Sequence, residues 1–567
     1  MAKPNSTYRS NEWFDTPELY GWLRKAAFMA EGYGEASYEG KPIIGICNTW
    51  SELTHCNAHL RGLAEAVKRG VWQAGGFPLE FPVMSLGEYN MRPTTMLYRN
   101  LLSMDVEESI TANPMDAVVL LGGCDKTTPA LLMGAASADI PSILVTGGPQ
   151  LKGNWKGEEL GSCTDCRRYE VELRAGNITE DDWAELQSCI VRSSGHCMTM
   201  GTASTMAMMG EAIGMALPDN ASIPAVDSRR VQMAEEAGRR AVSLAGTELI
   251  PSKILTLSAF ENAIRCLHAS GGSTNAIIHL IAIAGRVGIE LPLELFDDLA
   301  KTTPFILNLK PSGNFLMEDF YYSGGTPALM KRIESLLDLD NMTITGETLG
   351  MNISGYDVHN DDVIRPLNDP IEDEGGLAVL YGNLAPTGAI IKPTAASKDL
   401  MVHKGKAVVF EDHEDLYARI DDPNLEVRPE DVLVMKNSGP VGAPGMPEWG
   451  FMPIPKKILA MGVRDMVRLS DARMSGTAFG TVVVHVTPES SGGGPLSVVR
   501  DGDEIELDVP NRVLKLNIDD VEFRKRLEDP GRPAPEFKRG YKRFHAQHIM
   551  QADKGCDFDF LRSELLN

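Results

Sequence analysis

Long apolar runs, surplus positive charge and an export signal are what this 567-residue sequence lacks. No uninterrupted apolar stretch reaches the roughly 20 residues of a membrane span. Lys and Arg number 54 against 78 Asp and Glu, a formal net charge of -24. That balance argues against nucleic acid or an anionic membrane surface as a partner. The opening MAKPNSTYRSNEWFD has no apolar core of a signal peptide. Nine cysteines, an odd number, do not suit a disulfide framework. Reduced thiols or metal ligands in a cytoplasmic protein are expected instead. Repeats and low-complexity segments are also missing. The hydrophobic fraction of 43% and charged fraction of 23% are those of a globular protein, and the length calls for at least two domains. A small anionic substrate would need local positive charge or a metal.

What is present is organised around residues 122–129, GGCDKTTP. They follow the apolar run 116–121, and Pro129 opens a helical pattern, so strand, glycine turn and helix start form a βα loop. Ligands of open α/β sheets bind beyond the carboxyl ends of the strands. This loop carries a thiol, a carboxylate and an amine on Cys124, Asp125 and Lys126. A capping Asp beside a small buried Cys and a solvated Lys is the structural reading of the same residues.

Upstream, helices are expected over 17–31, 60–71 and 94–110, with strands over 41–50 and 78–84; residues 142–148 add another strand. The alternation predicts a mainly parallel sheet with helices on both faces. Cys56, Glu88 and the Cys124-Asp125-Lys126 triplet each follow a strand and should gather at one sheet edge. Residues 150–370 read as mostly helical. Two small-residue loops there, 193–202 (SSGHCMTMGT) and 269–275 (ASGGSTN), precede helices and suit either an anion at a helix N-terminus or close helix packing. The aspartate-rich stretch 356–374 reads as a linker. Beyond Gly375 and Gly376, short strands at 377–381, 406–410, 431–435, 481–486 and 504–508 predict a β-rich barrel or sandwich. The expected fold class is therefore α/β: a parallel-sheet α/β/α domain with helical additions over 1–370, then a barrel-like β domain over 375–567.

Cys56, Cys124 and Cys197 lie far apart, yet each sits in a loop that leads into a helix. Three converging thiolates suit an iron–sulfur cluster or zinc, and Cys163 with Cys166 forms a competing pair. His55, His59 and His196 flank the cysteines and keep a zinc hydrolase open. Glu88, Asp125 and Glu448 are loop carboxylates of the hard-oxygen kind that magnesium prefers; each taken singly also reads as a solvated or capping acid. His545 and His548, one helical turn apart, read equally as partners for substrate hydroxyls and as surface histidines.

GCDKTTP, SSGHCMTMGTAST, GGSTNA, PGMPE and SDARMSGTAFG, in that order, make the sequence similar to the IlvD/Edd family of dehydratases from about Pro42 to the β-rich end. SDARMSGTAFG and NTWSELTHCN resemble its sugar-acid branch. The resemblance implies a [2Fe–2S] or [4Fe–4S] cluster on Cys56, Cys124 and Cys197. It implies Mg²⁺ on Glu88, Asp125, a carboxylated Lys126 and Glu448, and a base at Ser475. Thr477 and His548 are the candidate substrate contacts. Cys163 and Cys166 have no counterpart among the family's ligands. The implied reaction takes a proton from C2 and expels hydroxide from C3 of a 2,3-dihydroxy acid, leaving a 2-keto-3-deoxy acid. Magnesium would stabilise the substrate carboxylate, a cluster iron would act as Lewis acid on the 3-hydroxyl, and a serine alkoxide would be the base. A homodimer or homotetramer is expected. Three other readings stand beside this one: a branched-chain dihydroxy-acid dehydratase, an electron-transfer iron–sulfur protein, which usually caps its irons with four cysteines, and a non-catalytic binding protein.

Overall fold

Residues IIGICN and AVVLLG are almost wholly apolar and are buried at every position, the pattern of strands covered on both faces. The computed structural model, which describes residues 8–14, 19–528 and 532–564, places them at the centre of a parallel sheet. Its strands are β1 (Ile43–Asn48), β2 (Phe77–Pro82), β3 (Ala117–Gly122) and β4 (Ser142–Thr146), in the order β2-β1-β3-β4. The edge strand β2 buries its first two residues and then alternates partly buried with exposed ones. Helices Leu60–Gln73, Met96–Thr111 and Thr127–Ala138 connect the strands. The loops bearing Cys56, Glu88 and Cys124 leave the carboxyl ends of β1, β2 and β3, as the alternation predicts.

The helix after GGCDK begins at Thr127, so Pro129 is its third residue rather than its first. A missing N–H costs nothing there, because the first turn has no intrahelical acceptor for it. The helix expected over 17–31 spans Leu19–Ala30; its start at Pro17 and Glu18 lies outside the described residues, as do the first seven residues of the chain. The middle of the chain carries helices separated by loops, with a small antiparallel pair, β5 (Gly153–Trp155) and β6 (Glu158–Leu160). The stretch 356–374 is not a free linker: Ile364 bridges Leu307, Glu372 bridges Phe305, and Val363 and Ile364 are fully buried.

Of the barrel and sandwich left open by the later strand pattern, the structure has the closed barrel. Its strands are β7 (Ala378–Gly382), β8 (Ala385–Ile391), β9 (Val402–Phe410), β10 (Val432–Met435), β11 (Arg468–Ser470), β12 (Val482–Thr487), β13 (Glu504–Asp508) and β14 (Val513–Leu516), closing in the order β10-β11-β12-β8-β7-β14-β13-β9. Leu380, Ile391, Val434, Val483, Ile505 and Leu514 are among the residues of its own core. Met474, Ala478, Val482 and Val484 belong instead to the core of the parallel-sheet unit. The segment either side of Ser475 is therefore clamped against that unit. Among the described residues, no helix is long and apolar enough to cross a membrane.

Candidate active site

Lys126 stands at the N-cap position of the helix Thr127–Ala138, and its side chain is completely buried. A buried ammonium is tolerable only among opposite charges, and three surround it. Glu448 Oε1 lies 3.0 Å away, Glu88 Oε2 3.6 Å, and Asp125 Oδ2 is in direct contact. Burial and the neighbouring Arg473 work against the charge on Lys126, but these carboxylates outweigh both and hold its pKa above the ordinary value. Burial also works against the Glu448 carboxylate, and Lys126 and Arg473 more than offset it, so Glu448 is held well below the usual range.

Each acid is aimed by further donors. Glu88 accepts from Thr94 Oγ1 at 2.8 Å and the Thr95 amide at 3.2 Å, with the Thr95 hydroxyl also on it. Glu448 accepts from Arg473 Nη1 at 3.1 Å and Asn275 Nδ2 at 3.2 Å. Gly445, at φ +87°, lets the loop that carries Glu448 lie against the helix Met96–Thr111. A Cβ there would sit 2.5 Å from the Leu97 amide nitrogen. The structure thus brings together the four residues expected to hold magnesium, three from the parallel-sheet unit and one from the barrel. Their oxygens already face a positive centre and are the hard donors that Mg²⁺ takes. Among the described residues, no three His, Cys, Asp or Glu side chains close on one point as tightly as a bound ion draws its ligands. Here the Lys126 ammonium fills the middle of the cage.

The thiols gather beside it. Cys56 and Cys124 are buried and hydrogen-bonded to each other. That bond, helped by His55 Nε2 at 3.6 Å, brings the Cys56 thiol down to about 6 against the cost of burial. Cys124 has φ 68°, a left-handed conformation that costs a non-glycine residue of order 1 kcal/mol; the turn carries that strain to present the thiol. Cys197 is brought down to about 7, first by the Cys163 thiol, while the charge of Cys56 opposes it. The three expected cluster ligands therefore lie close enough to act on one another's charge, and they are the soft donors an iron–sulfur cluster takes.

The sequence reading set Cys163 aside, but its Sγ lies 3.9 Å from that of Cys197, and the Tyr89 hydroxyl touches both. Cys166 instead packs against the small apolar cluster of Trp155, Leu160 and Tyr169.

Ser475 is half-buried in the loop that follows β11. Its Oγ lies 2.9 Å from Thr477 Oγ1 and accepts from the Thr477 amide at 3.4 Å; among the described contacts the Gly476 amide does not reach it. At Gly476 a Cβ would stand 2.6 Å from the Thr202 amide and 2.7 Å from Ser273 Cβ. Both small-residue loops, 193–202 and 269–275, therefore press on the serine turn, which answers the packing half of their two readings.

Asn275 ties the parts together. Its Nδ2 donates to Met474 O at 3.1 Å, to Thr202 Oγ1 at 3.0 Å and to Glu448. Arg473, fully buried, adds bonds to Met446 O at 2.7 Å and Thr94 Oγ1 at 3.2 Å. Sequence reasoning missed Asn275, Arg473, Thr94 and Thr95. The signal was available for two of them, since Arg473 sits inside SDARMSG and Asn275 closes GGSTN. His548 pairs with Asp559 Oδ1 at 3.0 Å and His545 packs on Phe558. Among the described contacts neither reaches the cage, the thiols or Ser475.

Two family models cover most of the chain: dihydroxy-acid/6-phosphogluconate dehydratase N-terminal over residues 41–352, and its C-terminal counterpart over residues 362–556. The chain is 54% identical over 563 residues to an L-arabinonate dehydratase of Rhizobium leguminosarum bv. trifolii, covering 98% of this chain and 96% of that protein. It is 53% identical over 570 residues to an L-arabonate dehydratase of Azospirillum brasilense, covering 99% and 98%. A 6-deoxy-6-sulfo-D-gluconate dehydratase of Pseudomonas putida is 47% identical over 558 residues, covering 98% and 96%. With both halves matched and one carboxylate cage built from both, the chain belongs to the dihydroxy-acid/6-phosphogluconate (IlvD/Edd) dehydratase family, in its sugar-acid branch, and is a hydro-lyase.

Proposed function

We propose that the protein dehydrates a five- or six-carbon aldonic acid to its 2-keto-3-deoxy acid, with Ser475 as the base. The observation that carries the reading is Asn275, whose one amide nitrogen holds both the Glu448 carboxylate and the carbonyl of Met474, next to Ser475. A carboxylate-binding centre and a candidate base are thereby fixed side by side. Similarity to enzymes named for L-arabinonate, L-arabonate and a sulfogluconate supports a sugar acid over a branched-chain acid. Glu88, Asp125, Lys126 (carboxylated in this reading) and Glu448 would hold Mg²⁺, and Cys56, Cys124 and Cys197 an iron–sulfur cluster. When bound, these groups supply Lewis acidity toward the substrate carboxylate and the 3-hydroxyl.

The chain's own residues do the rest. Ser475 Oγ takes the C2 proton. Before the transfer Oγ is the alkoxide, and its negative charge is met by the Thr477 amide and hydroxyl, donors already in place. The electron pair of the C2–H bond becomes the C2–C3 double bond as hydroxide leaves C3. The hydroxide takes the proton held by Ser475 Oγ and is released as water, which restores the alkoxide, and the enol tautomerises to the keto acid. In this reading Thr477 also contacts substrate. In the same reading the protein is a cytoplasmic homodimer or homotetramer that acts on a small anion and binds neither nucleic acid nor membrane.

The test is keto-acid formation from a panel of pentonates, hexonates and dihydroxyisovalerate, alongside exchange of the C2 hydrogen. Ser475→Ala, with iron and magnesium quantified, should lose at least the roughly 10²–10⁴-fold attributed to a positioned acid–base group. A variant that keeps both metals and turns over within a few-fold of wild type would show that another group is the base.

A further inference from the structure

The helix Ser162–Arg174 enters the site with its first turn. Cys163 lies beside Cys197, and Thr164 Oγ1 donates to the carbonyl of Thr477 at 3.0 Å. Asp165 fixes the start of this helix, accepting from the Gly161 amide at 2.6 Å, from Lys310 Nζ at 2.8 Å and from Arg168 Nε at 3.0 Å. Residues three and four positions apart share a helix face, so the next side chain on the face of Cys163 and Thr164 is Arg167.

Arg167 is unlike its neighbours. Arg168 is paired with Glu158 and Asp165, and Arg174 with Asp421. Arg167 forms no ion pair among the described residues, and its Nε is buried without a hydrogen-bond partner. In a chain with 78 acidic and 54 basic residues, a guanidinium left unmatched is a cost with no structural return, since a buried donor without an acceptor loses its hydration for nothing.

Its position gives the cost a purpose. The guanidinium carbon stands 4.8 Å from the centre of the Phe451 ring, a contact that holds a cation without using its N–H donors. Phe451 packs edge-on against Phe479 at 5.8 Å, in the loop that carries Ser475 and Thr477. The charge of Arg167 is also among those that hold Glu448 down, although no ion pair joins the two. Arg167 therefore acts on the carboxylate cage from beyond ion-pair distance, while Lys126, Arg473 and Asn275 bond to Glu448 directly.

We propose that Arg167 is the substrate-binding residue for the end of the sugar acid remote from the reacting carbons. Its fork receives the distal oxygens, whether hydroxyls or a terminal oxyanion, once the carboxylate and C2–C3 are seated at the cage and Ser475. This rests on the dehydratase reading of that site.

The test uses the intact, cluster- and magnesium-loaded enzyme as wild type, Arg167→Gln and Arg167→Lys. Two ligands are compared: the aldonate that wild type turns over fastest, and D-glycerate, which keeps the carboxylate and both reacting carbons but has no distal end. Arg167→Gln should lower kcat/KM for the aldonate about 10–100-fold, mostly through KM, because a site built to bond an oxygen is left with nothing in its place. Arg167→Lys should recover part of that loss. The inhibition constant of D-glycerate, the iron and magnesium content and the melting temperature should stay at wild-type values. An equal loss for aldonate and glycerate would overturn the assignment, as would unchanged kinetics with both. If wild type turns over no acid of the panel, the dehydratase reading fails on its own. Calorimetric binding of pentonates and hexonates then decides Arg167 separately: weaker binding to Arg167→Gln upholds it, and equal or absent binding in both proteins overturns it.

Discussion

Arg473 is the residue whose removal tests the two-part construction of the cage most directly. Its side chain is fully buried and makes three bonds: to Glu448 Oε1 at 3.1 Å, Met446 O at 2.7 Å and Thr94 Oγ1 at 3.2 Å. Thr94 also orients Glu88, so one guanidinium aims both the barrel acid and the sheet-edge acid. Arg473→Met leaves these acceptors behind. Breaking a buried charge pair from one side costs about 3–5 kcal/mol. Glu448 keeps Lys126 Nζ at 3.0 Å and Asn275 at 3.2 Å, which puts the expected cost near the lower end, about 3 kcal/mol. Arg473→Lys can reach Glu448 but cannot span all three acceptors, so about 1–2 kcal/mol is expected. Expressed wholly at the cage, a loss of about 3 kcal/mol is a rise of about 100-fold in the Mg²⁺ needed for half-maximal activity. The assay is a magnesium titration of activity after chelation, with iron counted in parallel. Iron should be unaffected, because no bond joins Arg473 to a thiol. Wild-type magnesium dependence and an unchanged unfolding midpoint in Arg473→Met would refute the reasoning.

Three further outcomes follow from the same contacts. Cys56→Ser, Cys124→Ser and Cys197→Ser should each abolish visible absorbance of anaerobically purified protein, whereas Cys166→Ser should retain it; iron loss in Cys166→Ser would displace the ligand assignment. Gly476→Ala should cut turnover at least 10²-fold, since its Cβ would fall 2.6 Å from the Thr202 amide and must move the serine turn; wild-type turnover would mean that the turn tolerates displacement. Lys392 is buried with no partner for its ammonium, and burial brings its pKa from 10.5 down to about 7. The unfolded chain then binds the extra proton between those values, so this residue makes stability rise with pH from about 7 to 10.5, and its penalty is complete below about 7. Lys392→Met should therefore stabilise by about 2–5 kcal/mol at pH 6 and by progressively less toward pH 10; equal urea midpoints at pH 6 would refute this.

The sheet-edge acids and thiols could be placed from sequence because strand periodicity and the βα-loop rule are local facts. Each residue needs only its own preceding strand to be assigned a side of the sheet. The barrel strands that were missed fail for an equally local reason. β11 has three residues, β8 begins with Ala385-Pro386-Thr387-Gly388, and β14 has four residues after the Asn511-Arg512 turn. None carries a periodic signal long enough to stand out from a loop. Residues 356–374 read as a linker for their aspartates, yet Val363 and Ile364 anchor them in the core. Arg473, Asn275 and Cys163 could not be found by periodicity at all. Their roles come from contacts between segments tens to hundreds of residues apart, such as Asn275 to Glu448 and Arg473 to Thr94. Motif resemblance could single out Ser475 and Glu448 because it records such long-range placement, but only at positions that the motifs themselves name.

The net charge of -24 contrasts with the interior, where positive charge collects. Arg99, Arg230, Arg286, Arg473 and Lys126 are all fully buried. Arg286 is matched by Asp557 at 2.7 Å, and Arg99 by the carbonyls of Gly555 and Cys556 at 2.9 and 2.7 Å. These two arginines lock the C-terminal segment onto the helices Met96–Thr111 and Asn275–Arg286. The first of those helices braces the loop of Glu448 through Gly445, and the second begins with Asn275. Burial together with Arg99, Lys126 and Arg473 keeps His279, in the same region, well below its ordinary pKa, so it adds no further charge. Positive charge is thus concentrated inside, in a medium where it acts over longer range than at the surface, while the acids that outnumber it lie mostly toward solvent and keep the surface negative. Arg473, which aims two acids of the cage, belongs to the same buried set as the arginines that hold the frame. For that reason the site cannot be built from either half of the chain alone.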